Sequence, residues 1–140
     1  MSSGLHTLIR LHKWRLDEKR RALAELQALA DKLAQDTARL EREILAEQEI
    51  ARTSPEASFG YGNFAKQAIE RRRRLAESVA QVEHQISEAT EEMAEAFQEL
   101  KRYELAQEGR NRRDEVKRKT RENAALDEVA LSGFTRRRET

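Results

Sequence analysis

Residues 5–51 decide the fold, and they read LHTLIRLHKWRLDEKRRALAELQALADKLAQDTARLEREILAEQEIA. Steps of alternately four and three residues through this stretch select fourteen positions, of which ten are apolar. This spacing keeps the selected side chains on one side of a helix. We therefore predict a long helix whose apolar seam must be covered by another helix. The first seam comprises Leu5, Ile9, His12, Leu16, Lys19, Leu23, Leu26, Ala30, Leu33, Thr37, Leu40, Ile44, Glu47 and Ala51.

A second stripe with the same spacing predicts the covering helix. After Tyr103 the equivalent positions become polar, beginning with Gln107 and Arg110, so a helix can continue there but has no apolar seam. The second seam comprises Ala68, Arg72, Leu75, Val79, Val82, Ile86, Ala89, Met93, Ala96, Leu100 and Tyr103.

A cluster of turn-forming residues separates the two stripes. Ser54-Pro55 is followed by Gly60-Tyr61-Gly62, and both combinations are typical of turns and loops that end a helix. We predict one domain, with a helix over 4–52, a loop over 53–63, a helix over 64–131 and a flexible tail over 132–140. Two helices joined by so few residues fold back antiparallel. The fold class is therefore all-α, a long antiparallel two-helix coiled-coil hairpin.

The hairpin register is predicted by matching the two seams. The preferred alignment places Leu33 on Ile86, Leu40 on Val79 and Glu47 opposite Arg72. Off the seams, it also places the arginines of 71–74 near glutamates of the first helix. Exposed pairs of this kind contribute little singly but favour one orientation together.

The composition is typical of a coiled coil and argues against catalysis. Charged residues make up 38% of the chain and aromatic residues 5%, and there is no cysteine. Gly60-Tyr61-Gly62 lacks the third glycine of a nucleotide-binding loop, and the three histidines have no metal-ligand spacing. No apolar run approaches the ~20 residues of a membrane span. We expect a soluble, cytoplasmic protein that is not an enzyme and needs no cofactor or metal.

The first helical turns carry more apolar surface than one partner helix can cover. Leu8, Leu11 and Trp14 step away from the first seam, at ~100° per residue. We interpret them as a docking surface anchored by Trp14, because tryptophan is enriched at binding hot spots. The alternative is that this apolar surface has no partner, or that Leu126, Val129 and Leu131 pack back onto it.

A basic run near the C-terminal end predicts an acidic partner. Residues 110–121 contain seven basic side chains and two acidic ones. A solvated charged face is the alternative. Nucleic acid is disfavoured, because no aromatic residues are interleaved for base stacking. The basic residues are Arg110, Arg112, Arg113, Lys117, Arg118, Lys119 and Arg121.

Several segments of the chain resemble the flagellar export protein FliJ family. The resemblance is strongest in residues 11–23, LHKWRLDEKRRAL, and extends over the whole chain. It is supported by LEREI at 40–44, FGY at 59–61, LKRYE at 100–104 and LDE at 126–128.

The resemblance implies a component of the bacterial flagellar type III export apparatus, with a hairpin similar to the central stalk of rotary ATPases. Its implied partners are the hexameric export ATPase, the cytoplasmic domain of the membrane export gate, and export chaperones. It further implies a location at the cytoplasmic face of the inner membrane, without a span, and a role in flagellum assembly and motility. We expect a monomer in isolation.

The resemblance also implies two sets of site residues. Export-gate binding is assigned to Ile44, Phe64, Ala68 and Leu75. ATPase binding is assigned to Leu8, Leu11, Trp14, Arg110, Arg112, Arg113, Lys117, Arg118 and Arg121.

Two other functions remain as alternatives: a structural coiled-coil scaffold, or the equivalent stalk of a virulence-type secretion system.

Overall fold

The computed structural model describes residues 2–139 and consists of two α-helices. Helix α1 spans Ser2–Thr53 and helix α2 spans Pro55–Glu139. Lys19 pairs with Glu92, whereas the later Glu41 pairs with the earlier Arg72, so the helices run antiparallel. No β-strand occurs between residues 2 and 139. The predicted all-α hairpin is confirmed.

The contacts divide the chain into two compact units. The paired unit is Trp14–Ala96, and the terminal unit is Met1–Lys13 with Phe97–Thr140, of which residues 2–13 and 97–139 are described. The single-domain organisation stays a prediction.

The core of the paired unit follows both predicted seams. All first-seam residues from Leu16 to Ile44 are buried or partly buried, as are all second-seam residues from Leu75 to Ala96. Leu40 is the most deeply buried, with 2% of its surface exposed. Glu47 and Arg72 are exposed, because a charged group gains more from water than from the apolar layer. The periodicity of the sequence therefore identified the buried layer correctly.

The register differs from the predicted one by about one heptad. Nε and Nη2 of Arg72 donate to the two carboxylate oxygens of Glu41 at 2.7 and 2.9 Å, rather than facing Glu47. Of the predicted flanking pairs, Arg71–Glu43 is present at 3.6 Å. A seam that repeats every seven residues offers equivalent apolar partners at each heptad. Apolar matching therefore cannot distinguish these alignments, and the observed ion pairs identify the one that the chain adopts.

The connection between the helices is much shorter than the predicted loop over 53–63. Ser54 alone lies outside a helix, and Pro55 begins α2. Proline is favoured in the first helical turn, and the Ser54 hydroxyl accepts a hydrogen bond from the Ala57 amide at 3.4 Å. Gly60 and Gly62 lie within α2 and have no positive φ. A serine cap and a proline are therefore sufficient to end α1 and begin α2, and the glycines do not form a loop.

The terminal unit contains a short buried layer and a long exposed helix. The His12 ring, 5% exposed, stacks on Tyr103 with centroids 4.7 Å apart, and its Nδ1 lies 3.5 Å from a Glu99 oxygen. Leu100 is also buried. From residue 110 to residue 138 every residue is exposed, which agrees with the predicted loss of the seam.

The predicted end of the second helix at 131 is also corrected. Helix α2 continues to Glu139, through the stretch predicted as a flexible tail. Glycine at 133 weakens a helix by ~1 kcal/mol but does not end it, and the charged residues that follow favour helix. Thr140 lies outside the described residues.

Candidate functional site

The predicted apolar docking residues are exposed in the structure. Leu8 and Leu11, in the terminal unit, are 39% and 40% exposed, and Trp14, the first residue of the paired unit, is 60% exposed. The C-terminal apolar residues Leu126 and Val129 are also largely exposed, at 66% and 69%. The alternative in which residues 126–131 cover the N-terminal turns is therefore wrong.

The basic residues of 110–121 lie on consecutive turns of α2, all of them exposed. Because each residue advances ~100° around a helix, four of them fall within an arc of ~80°. We call this set the cationic stripe, and it comprises Arg110, Arg113, Lys117 and Arg121. Of the remaining predicted site residues, Arg112 and Arg118 lie on other faces of α2. The structure thus brings four of the six predicted cations onto one face.

An acidic stripe lies almost opposite the cationic stripe on the same helix. Glu108, Glu115 and Glu122 recur every seven residues, at ~160° from the cationic stripe. Arg118 donates from Nη2 to Glu115 at 2.5 Å and from Nη1 to Glu122 at 3.2 Å. Its hydrogen bond and charge lower the pKa of Glu115, and the same hydrogen bond raises the pKa of Arg118. The sequence prediction missed this stripe, although its seven-residue spacing was visible.

The two stripes place four cations on one side of this part of α2 and three glutamates on the opposite side. Arg118 is held by carboxylates of its own helix, so its charge is largely compensated. The cationic stripe faces away from those carboxylates. An acidic partner would therefore meet the largest cluster of positive charge on the side of the helix that carries the cationic stripe.

The predicted gate-binding residues lie mainly inside the paired unit. Ala68 is 5% exposed, and Ile44, Phe64 and Leu75 are partly buried. Phe64 lies near Tyr61, with ring centroids 6.2 Å apart. Buried seam side chains offer little area to another protein. Their role in gate binding stays a prediction.

Exposed apolar residues lie close in sequence to that buried set. Leu45 and Ile69 are each 65% exposed, next to Ile44 and Ala68, and Phe59 is 93% exposed. Sequence reasoning missed them because it searched the seams, and these residues lie off the seams. Large apolar residues at positions outside the seams were the signal in the sequence that could have identified this exposed apolar surface.

Two other kinds of site are absent from the described part of the chain. No group of three or more histidine, cysteine, aspartate or glutamate side chains there is arranged to hold a metal ion. Neither helix, over the residues described, combines the length and apolar character that crossing a membrane requires.

Long paired helices with exposed apolar and charged faces define a class of proteins that act by binding other proteins along helix surfaces. A family model described as "Flagellar FliJ protein" matches residues 1–139, and the chain belongs to this family. It is a flagellar type III export component, and the predicted resemblance is confirmed. Comparison with curated proteins and with solved structures gave no significant match.

Proposed function

We propose that this protein is a non-enzymatic stalk and escort protein of flagellar export. In this role it binds the export ATPase ring, links the ring to the cytoplasmic domain of the export gate, and binds export chaperones. It would act at the cytoplasmic face of the inner membrane. Family membership supports the export role, and the surfaces described above support binding as its means of action.

The observation that carries the proposal is the exposed cationic segment of α2. Residues 110–138 are helical yet all exposed, and the cationic stripe lies opposite Glu108, Glu115 and Glu122, with Asp114 at its edge. An acidic protein surface around such a helix would attract it and fix its orientation through complementary charge. The lumen of a ring is a surface of that shape. Leu8 and Leu11 would add apolar contact area in the same unit.

For the export gate we propose the exposed residues beside the predicted set as the contacting side chains. Phe59, Leu45 and Ile69 present apolar area that Ala68 cannot present. The buried seam residues would instead hold the two helices at the spacing that such contacts require.

The ATPase assignment is tested by two variants in a pull-down and in an ATPase stimulation assay. One variant is Trp14→Ala, and the other reverses three charges of the cationic stripe, Arg113→Glu, Lys117→Glu and Arg121→Glu. Each should weaken ATPase binding by about tenfold or more while helical circular dichroism persists.

The matched control reverses three exposed arginines elsewhere, at Arg20, Arg21 and Arg52. The control changes the net charge equally and should bind the ATPase within about twofold of the parent. If the stripe variant and the control behaved alike, the assigned surface would be wrong.

A structural scaffold that pairs with a second copy is the competing function, favoured by the exposed apolar residues Val116, Leu126 and Phe134. Light scattering on the isolated chain distinguishes the two. A monomer supports the stalk, and a tight dimer supports the scaffold. The family match favours the flagellar system over a virulence-type system.

A further inference from the structure

A groove rich in arginine lies between the helices of the paired unit, and the proposed function does not use it. It encloses ~400 Å³ and combines three guanidinium groups with Asp36, Leu75 and Ser78. Arg39 comes from α1, whereas Arg71 and Arg74 lie one turn apart on α2. The antiparallel packing is what brings these cations together, because nothing in their local sequence pairs Arg39 with the other two.

The three arginines of this groove are held more loosely than their neighbours. Arg39 lies 4.0 Å from Asp36, Arg71 lies 3.6 Å from Glu43, and Arg74 makes one long hydrogen bond, from Nε to Glu70 at 3.4 Å. Their side chains are 60–70% exposed.

The adjacent arginines contrast with them. Arg72 makes two hydrogen bonds to Glu41 at 2.7 and 2.9 Å, and Arg73 bonds to Glu77 at 2.6 Å and to Glu70 at 2.5 Å. A guanidinium group has five N–H donors. Those of the groove arginines are therefore largely unused by the rest of the chain.

We infer that this groove binds an acidic helical segment of a partner protein. Guanidinium groups bind carboxylates through paired, charge-assisted hydrogen bonds. Two carboxylates one turn apart on the partner helix would match Arg71 and Arg74, which have the same spacing. Arg39 would approach from the opposite side of the groove. Leu75 gives the partner an apolar contact between the charges.

The acids around the groove select a protein helix over a nucleic acid. Asp36 lines the groove, and Glu43 and Glu70 are the ion-pair partners of Arg71 and Arg74. These acids offset the three arginines, so a uniformly negative phosphate backbone gains little attraction. A helix of mixed charge can place its carboxylates on the arginines and a lysine or amide beside Asp36.

The test uses the full chain and a synthetic alanine-based helix of about 20 residues, which is long enough to hold helical structure. This peptide carries glutamate pairs one turn apart with leucine between them. Binding is followed by NMR through the arginine Nε–Hε signals. We expect the signals of Arg39, Arg71 and Arg74 to shift together, and that of Arg118 to remain in place.

Two controls separate the possible causes of a shift. A peptide with glutamine in place of every glutamate should leave the three signals unchanged. Because the cationic stripe also attracts carboxylates, binding is measured on a chain that already carries Arg113→Glu, Lys117→Glu and Arg121→Glu. Adding Arg39→Gln, Arg71→Gln and Arg74→Gln to that chain should weaken binding of the glutamate peptide about tenfold or more. The comparable triple variant at Arg20, Arg21 and Arg52 should bind it normally. Circular dichroism establishes that both triple variants are folded.

Three results would overturn the inference. The first is equal binding of the glutamine peptide. The second is a larger shift of the same signals with duplex DNA or inorganic phosphate. The third is no shift at about 1 mM glutamate peptide.

Discussion

Leu40 and Leu45 offer a matched test of the buried seam. They lie five residues apart in α1, and Leu40 is 2% exposed whereas Leu45 is 65% exposed. Leu40→Ala removes three buried carbons at ~0.8 kcal/mol each, and a cavity adds to this loss. A layer only two helices thick is open at its sides and can partly collapse. We therefore expect a cost of ~3 kcal/mol, in the lower half of the range for such substitutions.

The same substitution at Leu45 should cost less than ~1 kcal/mol, because most of that side chain already contacts water. The change in helix propensity is the same at both positions and cancels in the comparison. Urea unfolding followed by helical ellipticity measures both, and the midpoints should differ by roughly 1 M. Equal losses at the two positions, or a larger loss at Leu45, would refute the seam assignment.

Three further predictions concern helix stability and charge. Gly109→Ala should stabilise α2 by ~1 kcal/mol and slow amide exchange nearby, since an added methyl group meets no atom within 4 Å beyond the neighbouring residues and backbone of its own helix; faster exchange would count against it. Arg72→Lys removes the paired hydrogen bonds to Glu41. Because both side chains are about half exposed, a double-mutant cycle on Arg72 and Glu41 should give a coupling energy of ~0.5 kcal/mol. A coupling well above ~1 kcal/mol would contradict this estimate. The hydrogen bond from Arg118 lowers the pKa of Glu115 below its ordinary value of 4.5. The stability that this interaction gives to α2 is therefore present above pH 4.5 and is lost as the pH falls through the lower folded-state pKa. An NMR titration of the Glu115 carboxyl should therefore have its midpoint below 4.5, and a midpoint at or above that value would exclude the interaction.

The seams could be predicted from the sequence because a single physical rule governs them. Apolar side chains repeated every three or four residues must face a partner helix, as Leu40 and Val82 do. The loss of that pattern after Tyr103 likewise predicted the exposed part of α2. The heptad alignment could not be predicted in this way, because each heptad offers similar apolar contacts. The Arg72–Glu41 pair discriminates between alignments, and it depends on side-chain geometry that periodicity does not encode.

The connection was mispredicted because local residue preferences were taken as decisive. Gly60 and Gly62 permit a loop, but they do not require one, and in the structure they are helical. The candidate site shows a similar division. The exposed apolar and cationic residues could be found from the sequence, and the same step of ~100° per residue would also have separated Arg112 and Arg118 from the cationic stripe. The arginine groove required the tertiary structure, because Arg39 is distant in sequence from Arg71 and Arg74.

Hydrogen exchange of the chain, free and bound to the export ATPase, tests the central claim most directly. In the free chain we predict fast amide exchange over 110–138 and slow exchange around Leu40 and Val82, because only the latter lie in a buried layer. On binding, exchange should slow over 110–121 and remain unchanged around Leu40. Uniform protection of both regions in the free chain, or no added protection of 110–121 by the ATPase, would contradict the account.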